Sequence, residues 1–498
     1  MNKVGNRVFN VNAFKSVFFS LFVLIYAVFV SFAITISPVV AALLFVPLIG
    51  LIFWLAPTVE TYPKKLLMFM FFLWLAASVL WPSYLNLQLP GLPGIEPSRV
   101  LLSTLIFIWI FYLIKSTDMK NHVHSVFVTN TKYFLFFLFI FLIKFIAIFF
   151  SESIFQSLFY YIKDLIEVFL PALVLLSLFM VTKDIKEFLF VLAVIGGGVI
   201  LISMVELIVN KNVFSLYLPP GFVMSSEYVE QAISEKIRGG GYRVQGPFGH
   251  PLLLAQFIVV ILPIYVYLFL THPKRLVKLI SFILIPLAFI VLYKTGSRSI
   301  FIGIAAEIII VAALYLRLVM VTKKTSVLGW ITIVSYPVFI LLGLFIFYLT
   351  MDYFLGQTIQ EMNSTNARLL MWERGLSIIT ESPLFGFGSG SAAYVLGFTG
   401  GGGVLTIDSY YLSVLLESGY IGFIVFIAYF VLIFYLGVKL IKMTPQNSAI
   451  LLTVMPAIFG YLTIALILST PHNLNILFLL TVIFLLLNNE AVTKKQAV

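Results

Sequence analysis

The sequence predicts an all-α, polytopic membrane protein with about 14 transmembrane helices, and three observations carry the prediction. Of 498 residues, 61% are hydrophobic and only 10% charged, where a soluble domain carries about a quarter. The mean hydropathy of +1.11 comes from apolar runs of the roughly 20 residues that a bilayer crossing needs. The loops between those runs carry lysines on alternate connections from end to end, as the positive-inside rule requires.

The spans begin near Phe18, Val39, Leu66, Val100, Tyr133, Phe155, Glu187, Pro251, Leu276, Ser299, Leu328, Tyr410, Ala449 and Leu474. The first has no small-residue cleavage site and a second run follows it at once, so it reads as a retained span and not as a signal peptide. With Lys3, Arg7 and Lys15 cytoplasmic, the loops holding Lys64 and Lys65, Lys115 and Lys120, Lys183 and Lys186, Lys274 and Arg275, Lys323 and Lys324, and Lys439 and Lys442 fall on the same side. Lys494 and Lys495 join them, which places both termini in the cytoplasm. The resulting organisation is an N-terminal transmembrane scaffold (1–210), a first extracytoplasmic loop (211–250), central transmembrane helices (251–350), a large extracytoplasmic loop with an amphipathic helix (351–409) and C-terminal transmembrane helices (410–498).

Within the spans, Lys144, Lys163, Asp164 and Glu167 need partners, since an unpaired charge at mid-helix costs at least about 2.5 to 3.5 kcal/mol. An ion pair between Lys144 and one carboxylate is the expectation. The absence of cysteine excludes disulfides and thiolate metal sites. The net charge of +11 is mostly topology signal and does not indicate nucleic-acid binding.

Arginine departs from the lysine pattern. Of 22 lysines only Lys211, Lys236 and Lys294 fall outside, whereas six of nine arginines do: Arg99, Arg238, Arg243, Arg298, Arg368 and Arg374. A topology signal would treat the two residue types alike. A site for a phosphate or carboxylate would not, because the planar guanidinium forks onto two oxygens where lysine offers a point charge. Boundary arginines can also snorkel or neutralise carboxylates such as Glu361 and Glu373.

The first outer loop ends in IRGGGYRVQGPFGHP, whose glycines allow positive φ and close backbone approach around Arg238 and Arg243. The second contains NSTNARLLMWERGLSIITESP. Asn363 to Asn366 offer N-caps, Pro383 ends the run, and Leu369, Trp372, Leu376 and Ile379 recur at helical spacing, so an amphipathic helix on the outer leaflet is expected, with Arg368 one turn from Trp372. The glycine-rich PLFGFGSGSAAYVLGFTGGGG that follows lacks the ending of a nucleotide-phosphate loop and reads as a lid or linker.

Four motifs, RVQGPFGHP, TGSRS, NARLLMWERGLSIITESPLFGFGSG and DSYYLSVLLESGYIG, in this order on one face of the membrane, resemble the O-antigen ligase and Wzy-type polysaccharide polymerase superfamily over about Arg238 to Phe423. The resemblance implies a GT-C-type fold with an extracytoplasmic loop cap, an undecaprenyl-diphosphate-linked glycan as donor and another as acceptor, and no metal or other cofactor. It implies a bacterial inner (cytoplasmic) membrane location with the active site extracytoplasmic. A chain-length regulator and a flippase are the further partners it suggests.

Carried onto this chain, the anion-binding arginines are Arg243, Arg298 and Arg368, and Arg238, His250, Arg374, Trp372 and Tyr411 are substrate-binding candidates. One departure matters: where ligases have a histidine before a small polar residue, this chain has Asp408 before Ser409. An acidic residue there is typical of polymerase-like members, and Asp408 becomes the candidate that deprotonates or orients the acceptor hydroxyl. Its alternative role is N-cap of the following span, with Ser409 as second candidate; His250 is the alternative base. A ligase, or a lipid-linked oligosaccharide flippase, are the rival readings. A flippase would draw charge from many spans of two similar halves, whereas here the outer loops and motifs crowd into the second half.

Overall fold

The computed structural model describes residues 50, 53–87, 95–215, 236–238, 241–322, 359–399, 405–468 and 473–496. The spans expected near Phe18, Val39 and Leu328 lie outside these residues. The secondary structure that is described is helical apart from one two-residue hairpin, β1 (Ile237–Arg238) paired antiparallel with β2 (Gly241–Tyr242). The helices are α1 (Lys64–Leu80), α2 (Pro97–Lys115), α3 (Thr117–Thr129), α4 (Thr131–Ala147), α5 (Ile154–Asp164), α6 (Leu170–Leu178), α7 (Thr182–Val209), α8 (Pro251–Thr271), α9 (Arg275–Lys294), α10 (Ser299–Thr322), α11 (Ile359–Ile378), α12 (Ala392–Leu396), α13 (Tyr410–Met443), α14 (Ser448–Ile464) and α15 (Leu474–Gln496).

Nine of the described helices are long and apolar enough to cross a membrane. Two more elements stand where spans are expected. Helix α1 has 17 residues, about 26 Å of length. Helices α5 and α6 run on through a π-helical turn at Leu165–Phe169. Pro171 lacks an N–H, and its ring would strike the carbonyl four residues back, so the chain loosens where Glu167 sits.

The lysine-bearing connections gather at one end. Lys64 pairs with Asp184 at 2.7 Å, the Val59 N–H donates to the Lys115 carbonyl, and Glu490 accepts from Thr182. The connection after Lys115, read as a loop, is instead the helix α3. Ser116 caps it by accepting from the Met119 N–H, and Met119 and Val126 are buried where it packs on α6 and α15.

The expected intramembrane ion pair is present: Lys144 Nζ lies 2.5 Å from Asp164 Oδ2. Removing one partner of such a buried pair costs about 3 to 5 kcal/mol. Arg99 pairs with Glu96 at 3.1 Å and with Glu167 at 3.6 Å, so this arginine neutralises local carboxylates.

Helix α13 is broken at Gly419, whose φ is 67° and ψ −173°. A break in a buried helix frees backbone groups that must find partners. The glycine-rich loop supplies them: Phe387 and Gly388 donate to the carbonyls of Leu416 and Glu417 (2.8 and 3.0 Å), and Tyr420 and Ile421 donate to those of Pro383 and Leu384 (2.8 and 3.3 Å). A Cβ at Gly386 would lie 2.4 Å from the Leu416 oxygen, and one at Gly419 2.2 Å from the Leu384 oxygen. The first part of the stretch read as a lid or linker is therefore a fitted seal; residues 400–404 lie outside the description.

The large loop's helix also differs from expectation. It begins by Ile359, so Asn363 to Asn366 lie inside α11 and do not cap it. Its buried face is Met371, Gly375 and Ile379, while Leu369 and Leu376 are exposed. Packing on α13 decides which face is buried, and local capping preference yields to it.

Candidate active site

Two segments build the site, the RVQGP loop before α8 and the stretch from α11 to the start of α13. On α11, Arg368, Met371 and Gly375 recur at three and seven residues and share one face. Met371 is buried, and a Cβ at Gly375 would lie 2.7 Å from Leu412 Cδ1, so this face docks on the start of α13. There Arg368 Nε meets Asp408 Oδ2 at 3.5 Å.

Ser409, not Asp408, is the N-cap of α13: its Oγ accepts from the Leu412 N–H at 3.4 Å. With the cap filled, the Asp408 carboxylate faces Arg368. Burial raises its pKa above the ordinary aspartate value, while the Arg368 guanidinium pulls it back down.

The RVQGP loop builds the other half. Arg243 Nε donates to the Thr295 carbonyl at 2.7 Å, and the Val244 N–H to that of Lys294 at 3.1 Å, at the turn that precedes Arg298. Gly296, with φ of 60°, makes room: a Cβ there would lie 3.2 Å from Arg243 Nε. Arg243 is thus anchored at the joint of α9 and α10, and Arg298, half-buried, stands at the same joint.

The two halves sit at the same end of the bundle, opposite the lysine-bearing connections. A Cβ at Gly303, one turn into α10, would touch Ile464 Cδ1 at 2.9 Å, and the Tyr410 N–H donates to the Ala465 carbonyl at 2.9 Å. The C-terminus of α14 therefore contacts both the start of α10, which carries Arg298, and the start of α13, which follows Asp408.

His250 caps α8. Its Nδ1 accepts from the Leu252 N–H at 3.1 Å, and burial together with the charges of Arg243 and Lys236 lowers its pKa to about 4. The ring is neutral near pH 7, with its Nδ1 lone pair already engaged, which suits a cap better than a base. Tyr411 donates its hydroxyl to the Leu462 carbonyl at 3.1 Å, and Trp372 packs into the small core beneath α11. Arg374 is exposed and off the Arg368 face, beside Gly397. Arg238 is in β1, and its side chain lies outside the description.

The reading of the sequence gave a site role to neither of two residues. Lys236 has its pKa lowered by burial and by the charge of Arg243, so two cationic side chains lie within electrostatic reach of one another, and both act on the neutral His250 ring. Glu206, near the end of α7 and 0% exposed, accepts from Tyr242 Oη (2.8 Å), the Gln245 N–H (3.0 Å) and the Gly246 N–H (2.6 Å). It holds the loop that carries Arg243. The signal was available, since a carboxylate in an apolar run demands partners.

Residues 280–427 match the family model described as O-antigen ligase. The match covers the segment from α9 to the middle of α13, and so includes Arg298, Arg368 and Asp408. It begins after the RVQGPFGHP motif, which the Arg243–Thr295 bond ties to the matched segment. No curated protein matches the chain. The chain is a multi-pass membrane protein whose segment 280–427 is similar to the family described as O-antigen ligase.

Proposed function

We propose that this membrane protein, with its segment similar to the O-antigen ligase family, polymerises undecaprenyl-diphosphate-linked oligosaccharide repeat units into a surface polysaccharide on the extracytoplasmic face of the bacterial inner membrane. The observation that carries the reading is the Arg368–Asp408 pair, with Ser409 as the cap that leaves Asp408 to it. On a GT-C-type scaffold, Arg243, Arg298 and Arg368 hold the lipid diphosphate, and Asp408 faces the acceptor hydroxyl. Transfer puts negative charge on the departing diphosphate and oxocarbenium character on the anomeric carbon. Guanidinium groups stabilise the first, and the carboxylate takes or orients the proton that the acceptor loses.

Ligation of a finished glycan to another acceptor is the second reading, favoured by the description of the matched family; the aspartate at position 408 favours polymerisation. Purified protein in liposomes, given only the lipid-linked repeat unit, is expected to form chains of two and more repeats on one diphosphate and to release undecaprenyl diphosphate. Product that forms only when a second, chemically distinct acceptor is added would establish the ligase instead.

The pH profile tests the role of Asp408. The base must be ionised, so activity falls as pH drops through its raised pKa. Because Arg368 lowers that pKa, Arg368→Gln is expected to move the acid limb of kcat/KM to higher pH, besides slowing transfer. An acid limb that stays in place would mean that another group titrates.

A further inference from the structure

A cleft opens between the α4–α5 turn and the glycine-rich loop, with a volume of about 320 Å3, at the lower bound of small-molecule sites. Its lining is unlike the apolar surface around it. Ser151, Ser157, Ser389 and Ser391 contribute hydroxyls, Gln156 an exposed amide, and Tyr394 an aromatic ring that is 68% exposed. Two of the hydroxyls are unusual. Ser157 and Ser389 are 1% and 2% exposed, and among the described residues neither Oγ has a hydrogen-bond partner.

Buried polar groups are nearly always paired, so two orphan hydroxyls on the floor of one cleft call for an explanation. The backbone brings them there: a Cβ at Gly388, whose φ is 91°, would fall 2.5 Å from Ser157 Oγ, so only glycine lets the loop pass so close.

We infer that this cleft binds a pyranose unit of the glycan, away from the diphosphate. This rests on the reading of the protein as a glycan transferase. A serine hydroxyl both donates and accepts, as a sugar hydroxyl does, and a turn about χ1 redirects it. An exposed tyrosine ring offers a platform for the C–H face of the sugar, and the amide of Gln156 pairs with vicinal hydroxyls at the rim.

The cleft is coupled to the arginine–aspartate pair. The wall from Phe387 to Leu396 shares one hydrophobic core with Met371, Trp372, Ile407 and Leu412, which stand within four residues of Arg368 or Asp408 in the chain. A saccharide gripped here is therefore held by the same rigid unit that carries the candidate catalytic groups, which is how remote binding positions a reacting end.

The test is equilibrium binding to the full-length protein in nanodiscs, with two probes: the lipid-free repeat-unit oligosaccharide released from the host's lipid-linked pool, and undecaprenyl diphosphate without sugar. Ser157→Ala and Ser389→Ala remove hydroxyls that make no hydrogen bond among the described residues, so folding is expected to be kept; Tyr394→Ala changes an exposed ring. The expected result is that Ser157→Ala combined with Tyr394→Ala weakens oligosaccharide binding roughly tenfold or more, while undecaprenyl diphosphate binds as in the wild type. Equal oligosaccharide affinity in wild type and variant, or no oligosaccharide binding by the wild type, overturns the cleft assignment even if the purified protein forms polymer. Specific sugar binding that is lost in the variant, by a protein that never transfers a glycan, keeps the cleft and removes the transferase.

Discussion

Cells lacking the native gene and carrying Arg298→Ala or Asp408→Asn are expected to accumulate single repeat units on the lipid carrier, with transfer reduced about a hundredfold to a thousandfold. The magnitude follows from where charge develops. On the proposed reaction the diphosphate leaves with negative charge, and a preorganised guanidinium aimed at it costs no reorganisation when the bond breaks. Arg298→Lys is expected to fail nearly as badly as alanine, because an ammonium cannot fork onto two oxygens. Asp408→Asn keeps size and polarity but loses the proton acceptor, and it removes the charge that faces Arg368 at 3.5 Å. The measurement is polymer length on a gel, with membrane levels of each variant checked in parallel. Long polymer in all of the variants, at normal protein levels, would reduce these arginines to topology and packing, and transport would become the better reading.

The parts of this protein that could be read from its sequence are those that physics makes local. A span is a run of apolar residues, and the eleven expected starts from Leu66 onward that fall in described residues coincide with helices. Lys144 had to find a carboxylate nearby in the bilayer, and Asp164 is that partner. Arg298 and Asp408 stood out because each is a polar exception at the mouth of an apolar run. What stayed hidden depends on pairing between distant segments. Nothing local says that Pro383 to Gly388 will bond to the backbone around Gly419, although the glycines marked that special geometry was needed. Choosing between Asp408 and Ser409 as cap required the position of Arg368, 40 residues away in the chain. Asn363 to Asn366 looked like a helix start because capping is a local preference, and docking on α13 overrode it.

Glu206 offers the sharpest case of such a long-range dependence, and a strong expected effect. Its carboxylate holds two backbone N–H groups and the Tyr242 hydroxyl in a place without solvent. Glu206→Ala would take the carboxylate acceptor from the buried Gln245 and Gly246 N–H groups, at about 1 to 3 kcal/mol for each. The loop from Tyr242 to Gly246 has a second anchor, at the Lys294 and Thr295 carbonyls, so the rest of the bundle can stay folded while this loop loosens. Arg243 would then lose its fixed aim at the joint with Arg298. Transfer by Glu206→Ala is expected to fall to nearly the level of Arg243→Ala, and the double variant to fall little further, because both substitutions remove the same positioned guanidinium. Glu206→Gln retains one accepting oxygen but turns an N–H2 towards an N–H, so it should recover only part of the rate. The readout is a double-mutant cycle on transfer rate, with limited proteolysis between Lys236 and Gly246 as a measure of loop order. Losses that add in full would show that Glu206 serves the fold independently of Arg243, whereas a saturating loss would make a carboxylate inside a membrane helix the support on which the diphosphate-binding arginine depends.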